Sequence, residues 1–354
     1  MSELLIKGVE NQDELRLAND LMAKVHYLDS FEALRWLEGS GAGYPDYRLE
    51  HTRIAMWNDE LAGALRMNTD TIRLGEARLK MGGMGWVTTA GHYRHKGIAR
   101  ELISDTLRYM REQRYHVSML FGIPNFYHRF GFATTLAEYA TTIAVQEALA
   151  APHRSYKMRT GKPGDIRAIQ KIHARNDSEV ACSIVRNAGH ITNKWEDGKK
   201  VRVITDGRGK VTAYVMGAQQ DTDYNVTEIG VAGPEWFSAA LHACGKLAHG
   251  EHLGRIRFAA PPAHPFVRYL LRFRSTHEMR VTRNEGGMMA FIDTAEALES
   301  MIPEWESLLV GSALRERHTE VTFIVDRKPY RVRAHRGAVD VAEASGTNKV
   351  SLTC

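Results

Sequence analysis

Cysteine is nearly absent, with Cys182, Cys244 and Cys354 alone among 354 residues. These are too few and too widely spaced for a disulfide framework, and no pair has the C-x-x-C spacing of a zinc or redox centre; a reducing, cytoplasmic setting is expected. Proline is scarce too, at 10 residues, which argues against a collagenous or proline-rich disordered chain. Charge of one sign is nowhere concentrated: 47 Lys and Arg against 42 Asp and Glu leave a net charge of +5, scattered along the chain, and a nucleic-acid partner is not expected. The opening residues 1–7 lack the basic and apolar regions of a signal peptide, and no apolar run reaches the roughly 18 residues of a membrane helix, so no membrane role is expected.

What is present is an ordinary globular composition, 44% hydrophobic and 25% charged. A length of 354 residues suggests two or three domains at about 100 to 200 residues each. Helical periodicity runs from 11 to 37, interrupted by the glycine-rich loop 39–43. Strand patterns at 53–57 and 61–67 flank Asn58, Asp59 and Glu60, a hairpin signature, and a third strand follows through 77–89. From Gly97 onward Ala99, Leu102, Ile103, Leu107 and Met110 fall on one helix face. Strands are expected at 117–121 and 139–145, with a short helical turn at 126–130 between them. The same order recurs after a boundary near 150–154: a helix carrying Ile166, Ile169 and Ile172, a hairpin at 200–216, a helix at 236–249 and a strand at 256–258. An internal duplication of fold follows. Beyond Pro303 a short helix leads into alternating strands, and that tail is read as a partial domain, with truncation left open. The expected domains are 1–150, 155–298 and 302–354, in an α+β assembly.

The stretch that carries chemistry links the third strand to the amphipathic helix. It contains Arg94-x-x-Gly97-x-Ala99, and its residues Arg94, His95, Lys96, Gly97, Ile98, Ala99 and Arg100 lie at the helix start. A helix N-terminus offers unpaired N–H groups and partial positive charge, and cations just before it complete a cradle for a pyrophosphate. Four histidines, His242, His249, His252 and His264, are irregularly spaced and read as surface residues; no metal is expected.

This strand, loop and helix resemble the coenzyme A signature of the GNAT superfamily of N-acetyltransferases. Tyr127-x-x-x-Gly131-Phe132 lies where that superfamily places its second signature. The resemblance implies acetyl-CoA as co-substrate, with the backbone of Val87, Thr88 and Thr89 pairing with the pantetheine arm and residues Arg94 to Arg100 holding the pyrophosphate. It places Tyr127 beside the coenzyme sulfur, where a phenol protonated at neutral pH can serve as general acid to the leaving thiolate. The second repeat has Val231 to Glu235 where the phosphate loop belongs, and is read as a degenerate, non-catalytic copy. Two such repeats and a sterol-carrier-like tail resemble the enhanced intracellular survival (Eis) family, which suggests a homo-oligomer. In that family the terminal carboxylate helps to deprotonate the amine; here the tail is short and ends at Cys354, so the role is not carried over. His92, His95 and His128 offer substitute bases, though a surface or phosphate-side position is the commoner case for each, and Asp29, Glu32 and Glu38 are either attractors of a cationic amine or solvated helix faces. The expected reaction is direct acetyl transfer to a primary amine of unspecified identity; the alternatives are a non-catalytic acyl-CoA-binding sensor or assembly module, or a different acyl donor.

Overall fold

The computed structural model describes residues 4–26, 46–187 and 201–352. The glycine-rich loop at 39–43, the second half of the 11–37 helical pattern, Asp29, Glu32, Glu38 and Cys354 lie outside them. In chain order the first elements are β1 (Leu4–Gly8), α1 (Gln12–Val25), β2 (Thr52–Trp57), β3 (Glu60–Leu74), β4 (Ala77–Thr89), α2 (Ile98–Glu112), β5 (Val117–Gly122), β6 (Ala133–Leu136), β7 (Glu138–Ala144) and α3 (Val145–Ala150). Then come β8 (Lys157–Thr160), α4 (Ile166–Asn176), β9 (Arg202–Thr205), β10 (Val211–Gln220), β11 (Asp223–Val231), α5 (Phe237–Gly250), β12 (Arg255–Phe258), α6 (Pro265–Leu270), β13 (Ser275–Arg280) and β14 (Gly286–Phe291). The tail holds α7 (Thr294–Glu299), α8 (Ile302–Val310), β15 (Thr319–Val325), β16 (Lys328–His335), β17 (Ala338–Ala342) and β18 (Lys349–Leu352).

Local chemistry explains these elements. Asn11 caps α1, its Oδ1 accepting the N–H groups of Asp13 at 3.1 Å and Glu14 at 2.9 Å. Asn58 and Asp59 both take left-handed φ, 47° and 65°, the two-residue turn whose twist suits a hairpin. Asp326 and Arg327 do the same between β15 and β16. On α2, Ile98, Leu102, Ile103, Thr106 and Met110 form the buried stripe.

Two compact units result, Met1–Leu136 with Thr282–Cys354, and Ala137–Val281. In the first, a mixed sheet runs β1-β2-β3-β4-β5-β14-β6, and a separate four-stranded sheet runs β17-β16-β15-β18. In the second, seven strands run β13-β7-β12-β11-β10-β9-β8. The duplication is visible in the crossovers: β4 to β5 through α2, and β11 to β12 through α5, both parallel. The next-to-last position of each sheet is filled from the other half of the sequence. Strand β14 sits between β5 and β6, antiparallel to both, while β7 sits between β12 and β13. The 139–145 strand, expected to complete the first repeat, therefore completes the second, because a strand's main-chain bonds can be satisfied by any matching edge. Packing favours this arrangement: Met288 of β14 is fully buried with Leu65, Leu120, Tyr127 and Phe132 in one core. Sequence boundaries near 150 and 298 and these compact units are thus two different partitions of the chain. Among the described residues no helix is long and apolar enough to cross a membrane.

Candidate active site

Strand β4 leaves its parallel neighbour early. It pairs with β5 only from Met81–Val117 to Gly83–Met119, yet continues to Thr89. Its register with β3 also shifts, Arg66 opposing Gly85 and Ala64 opposing Thr88, with Trp86 at a left-handed φ of 56°. This is a bulge, which bends the strand and re-aims side chains. Val87 packs on the α2 side within the core containing Ile103 and Tyr127, whereas Trp86 packs on the α1 side with Met22 and Ala64. Beyond Gly83 and Met119 the two strands no longer pair, so residues 87–89 have no partner on β5.

The chain then turns into α2 through Gly91–Tyr93 and residues 94–97. His95 and Gly97 are left-handed, φ 64° and 84°, and curl the backbone at the helix start. A Cβ at Gly97 would meet only the far end of Arg100, so glycine is required by its backbone conformation rather than by space. The helical ladder begins with Glu101 N–H to the Gly97 carbonyl at 3.1 Å, leaving the Ile98, Ala99 and Arg100 amides ahead of it. Arg94, His95 and Arg100 are exposed around this terminus, and Arg100 pairs with Glu101 at 3.1 Å. The donor set fits an anion of pyrophosphate type. Lys96 behaves differently from its neighbours. Its Nζ lies 5.0 Å from the Tyr93 ring centre and 5.2 Å from that of Trp57, and the Tyr93 hydroxyl donates to Glu60 at 2.6 Å. Cation–π attraction parks this charge on an aromatic pair.

Tyr127 opens a 3-10 turn, Tyr127–Phe130, that ends at the left-handed Gly131, φ 83°. Its ring is edge-on to Phe126 at 5.0 Å and Phe132 at 6.2 Å, and burial raises the phenol's pKa above its usual 10, so the proton stays on at neutral pH. The preceding loop is tied to the segment before β14: Asn125 N–H donates to the Asn284 carbonyl at 3.0 Å, and Asn284 Nδ2 to Asn125 Oδ1 at 3.2 Å. The structure thus brings Tyr127 and Val87 into one core cluster, with residues 94–100 at the adjoining helix start.

Of the histidines singled out in the sequence, His92 leans on Tyr93 with ring centres 4.2 Å apart, His95 is exposed, and His128 has a buried Nδ1 without a partner among the described residues. Sequence reasoning missed His26, at the C-terminal end of α1, whose Nε2 lies 3.3 Å from Thr88 Oγ1. A lone histidine ending a helix carries no sequence signal. Among the described residues no group of three or more His, Cys, Asp or Glu is arranged to hold a metal ion.

The second unit differs at the matching junction. Strand β11 pairs with β12 from Asp223–Arg255 to Val226–Phe258 and then continues to Val231. There the Val231 backbone is already engaged: its N–H donates to Asn176 Oδ1 at 2.7 Å and its carbonyl accepts from Asn176 Nδ2 at 2.9 Å. Gly233 is extended, φ −174°, and the Glu235 carboxylate folds back over it, where a Cβ would come within 2.4 Å. His264, expected at the surface, is buried instead, its Nε2 3.8 Å from Asp177 Oδ1.

Residues 38–135 match the acetyltransferase (GNAT) domain family. No curated protein sequence matches the chain. Among solved structures, a probable N-acyltransferase from Enterococcus faecalis superposes with a TM-score of 0.77 at 13% identity, covering 99% of this chain and 87% of that one. A GCN5-related N-acetyltransferase from Anabaena variabilis gives 0.75 at 15%, covering 99% and 88%. Eis1 from Mycobacterium abscessus gives 0.66 at 14%, covering 99% and 87%. At these identities the likeness is one of fold.

Proposed function

We propose that this chain, an acyltransferase by its GNAT domain and its fold, moves an acetyl group from acetyl-CoA directly to a primary amine. The observation that carries this reading is the bulge at Trp86, which frees residues 87–89 from β5 beside a helix whose first amides and flanking Arg94, His95 and Arg100 can hold a pyrophosphate. On this reading the backbone of Val87, Thr88 and Thr89 binds the pantetheine arm, and the coenzyme supplies an activated thioester.

Tyr127 then acts as general acid. The amine nitrogen attacks the thioester carbonyl, the carbon–sulfur bond breaks, and the phenol proton passes to the departing sulfur. The amide nitrogen surrenders its extra proton, which restores the phenol. Burial keeps Tyr127 protonated for this step. Calorimetric titration of acetyl-CoA, with thiol release followed across a panel of amines, tests the proposal. Wild type should bind and turn over; Tyr127→Phe should bind within about twofold of wild type and turn over about 10- to 100-fold more slowly. Wild type that does not bind acetyl-CoA would end the reading, and binding without turnover on any amine would favour an acyl-CoA sensor.

A further inference from the structure

A direct transfer needs a neutral amine, and amines of this class are protonated at neutral pH, so some group must take a proton before attack. We propose that His26 is that proton acceptor, an inference that rests on the function proposed above. Three features of its placement carry it.

The first is position. His26 reaches the part of β4 that is not paired with β5, its Nε2 3.3 Å from the Thr88 hydroxyl and its ring edge-on to Trp86 with centres 5.1 Å apart. It approaches from the α1 side of β4. Tyr127 packs with Val87 on the α2 side, so donor and acceptor of protons flank the same three residues from opposite faces. The second is tautomer. The Thr88 hydroxyl donates its one hydrogen to the Trp86 carbonyl at 2.7 Å, so the 3.3 Å contact requires His26 to donate from Nε2–H. That leaves the Nδ1 lone pair as the basic site, on a residue exposed to solvent. The third is protonation state. Packing against β4 lowers the imidazole pKa below its usual 6.5, which keeps the ring neutral at pH 7. The groups facing it from β4, Thr88 and Trp86, carry no charge, and on its own helix the nearest charged side chain in the last turn is the exposed Lys24.

The step balances. Nδ1 takes one proton from the ammonium, the free amine forms the nitrogen–carbon bond as the carbon–sulfur bond breaks, and the imidazolium releases its proton to solvent. Thr88 acts as a positioning residue, holding the tautomer.

His26→Gln keeps a donor near the Nε2 position and removes the base. It should bind acetyl-CoA within about twofold of wild type by calorimetry while kcat falls about 100-fold, with loss of the acid limb of the pH–rate profile below 6.5. In wild type, NMR titration of the His26 ring should place its pKa below 6.5, on that same limb. His26→Ala should regain activity with added imidazole, a response that lost packing would not give. Thr88→Val should lose less than His26→Gln, and Thr88→Ser should recover the loss. A His26→Gln enzyme within about threefold of wild type, with the limb intact, overturns the proposal. So does failure of either His26 variant to bind acetyl-CoA, which would mark the residue as structural. Wild type without acetyl-CoA binding defeats the proposed function, and this inference with it.

Discussion

The two units share strand order, a parallel crossover through a helix, and a completing strand borrowed from elsewhere in the sequence, yet they treat the end of the fourth strand in opposite ways. In the first unit β4 bulges at Trp86 and enters α2 through left-handed His95 and Gly97, with cations exposed around the first helical turn. In the second, Asn176 satisfies both backbone groups of Val231, Gly233 is extended, and Glu235 lays a carboxylate over it. An anion-binding helix start needs free donors and surplus positive charge: α2 keeps Arg94 and His95 exposed beside the Arg100–Glu101 pair, whereas Glu235 brings a carboxylate onto Gly233. One fold therefore presents either free helix-start amides or an occupied strand end according to a handful of residues, and a fold likeness at 13–15% identity does not distinguish the two.

Substitutions at the two junctions sharpen that contrast most. Gly97→Glu adds a carboxylate to the cradle and forces a side chain onto a φ of 84°, so acetyl-CoA affinity should fall at least about 100-fold by calorimetry. Gly233→Glu, at an extended residue already covered by a carboxylate, should leave affinity within about twofold. Equal effects at the two glycines would erase the distinction.

Acid stability should show where the units are alike. His51 in the first and His264 in the second are each 3% exposed, and burial lowers each imidazole to about 4. Unfolded histidine titrates near 6.5. With the folded value below the unfolded one, the unfolded chain holds the extra protons between pH 6.5 and 4, so stability is full above 6.5 and falls as pH drops through that window. Urea denaturation should record about 2 to 3 kcal/mol lost per histidine. His264→Asn, which keeps a side-chain acceptor for the Phe266 N–H that His264 Nδ1 accepts at 3.2 Å, should flatten the second unit's share; an unchanged slope would mean that His264 is protonated in the fold.

Asn176→Ala is expected to have the smallest effect. It leaves the Val231 N–H and carbonyl without their buried partner and should cost about 1 to 2 kcal/mol, read as a lower denaturation midpoint. It should not create acetyl-CoA binding, because Glu235 still faces the start of α5. Binding gained by this variant would show that Asn176 alone separates the two junctions.

Much was legible in the chain itself. Asn58 to Glu60 announced a hairpin, and the spacing from Ala99 to Met110 announced α2, although its buried stripe takes in Ile98 and Thr106 while Ala99 and Leu107 stay half-buried; Gly97 marked the helix start. Such features are local: each depends on residues within a turn or two, so sequence alone determined them. Long-range packing decided the rest. The segment 139–145 could be read as a strand, but not which sheet it would join, since main-chain bonds are common to every edge and the choice rested on cores such as that around Met288. The contact of the exposed Lys96 with the rings of Trp57 and Tyr93, one distant and one near in sequence, is likewise a product of folding. His26 acquired meaning only when folding set it against Thr88, 62 residues away, because a side chain's chemistry is its own but its partners are assigned by the tertiary structure.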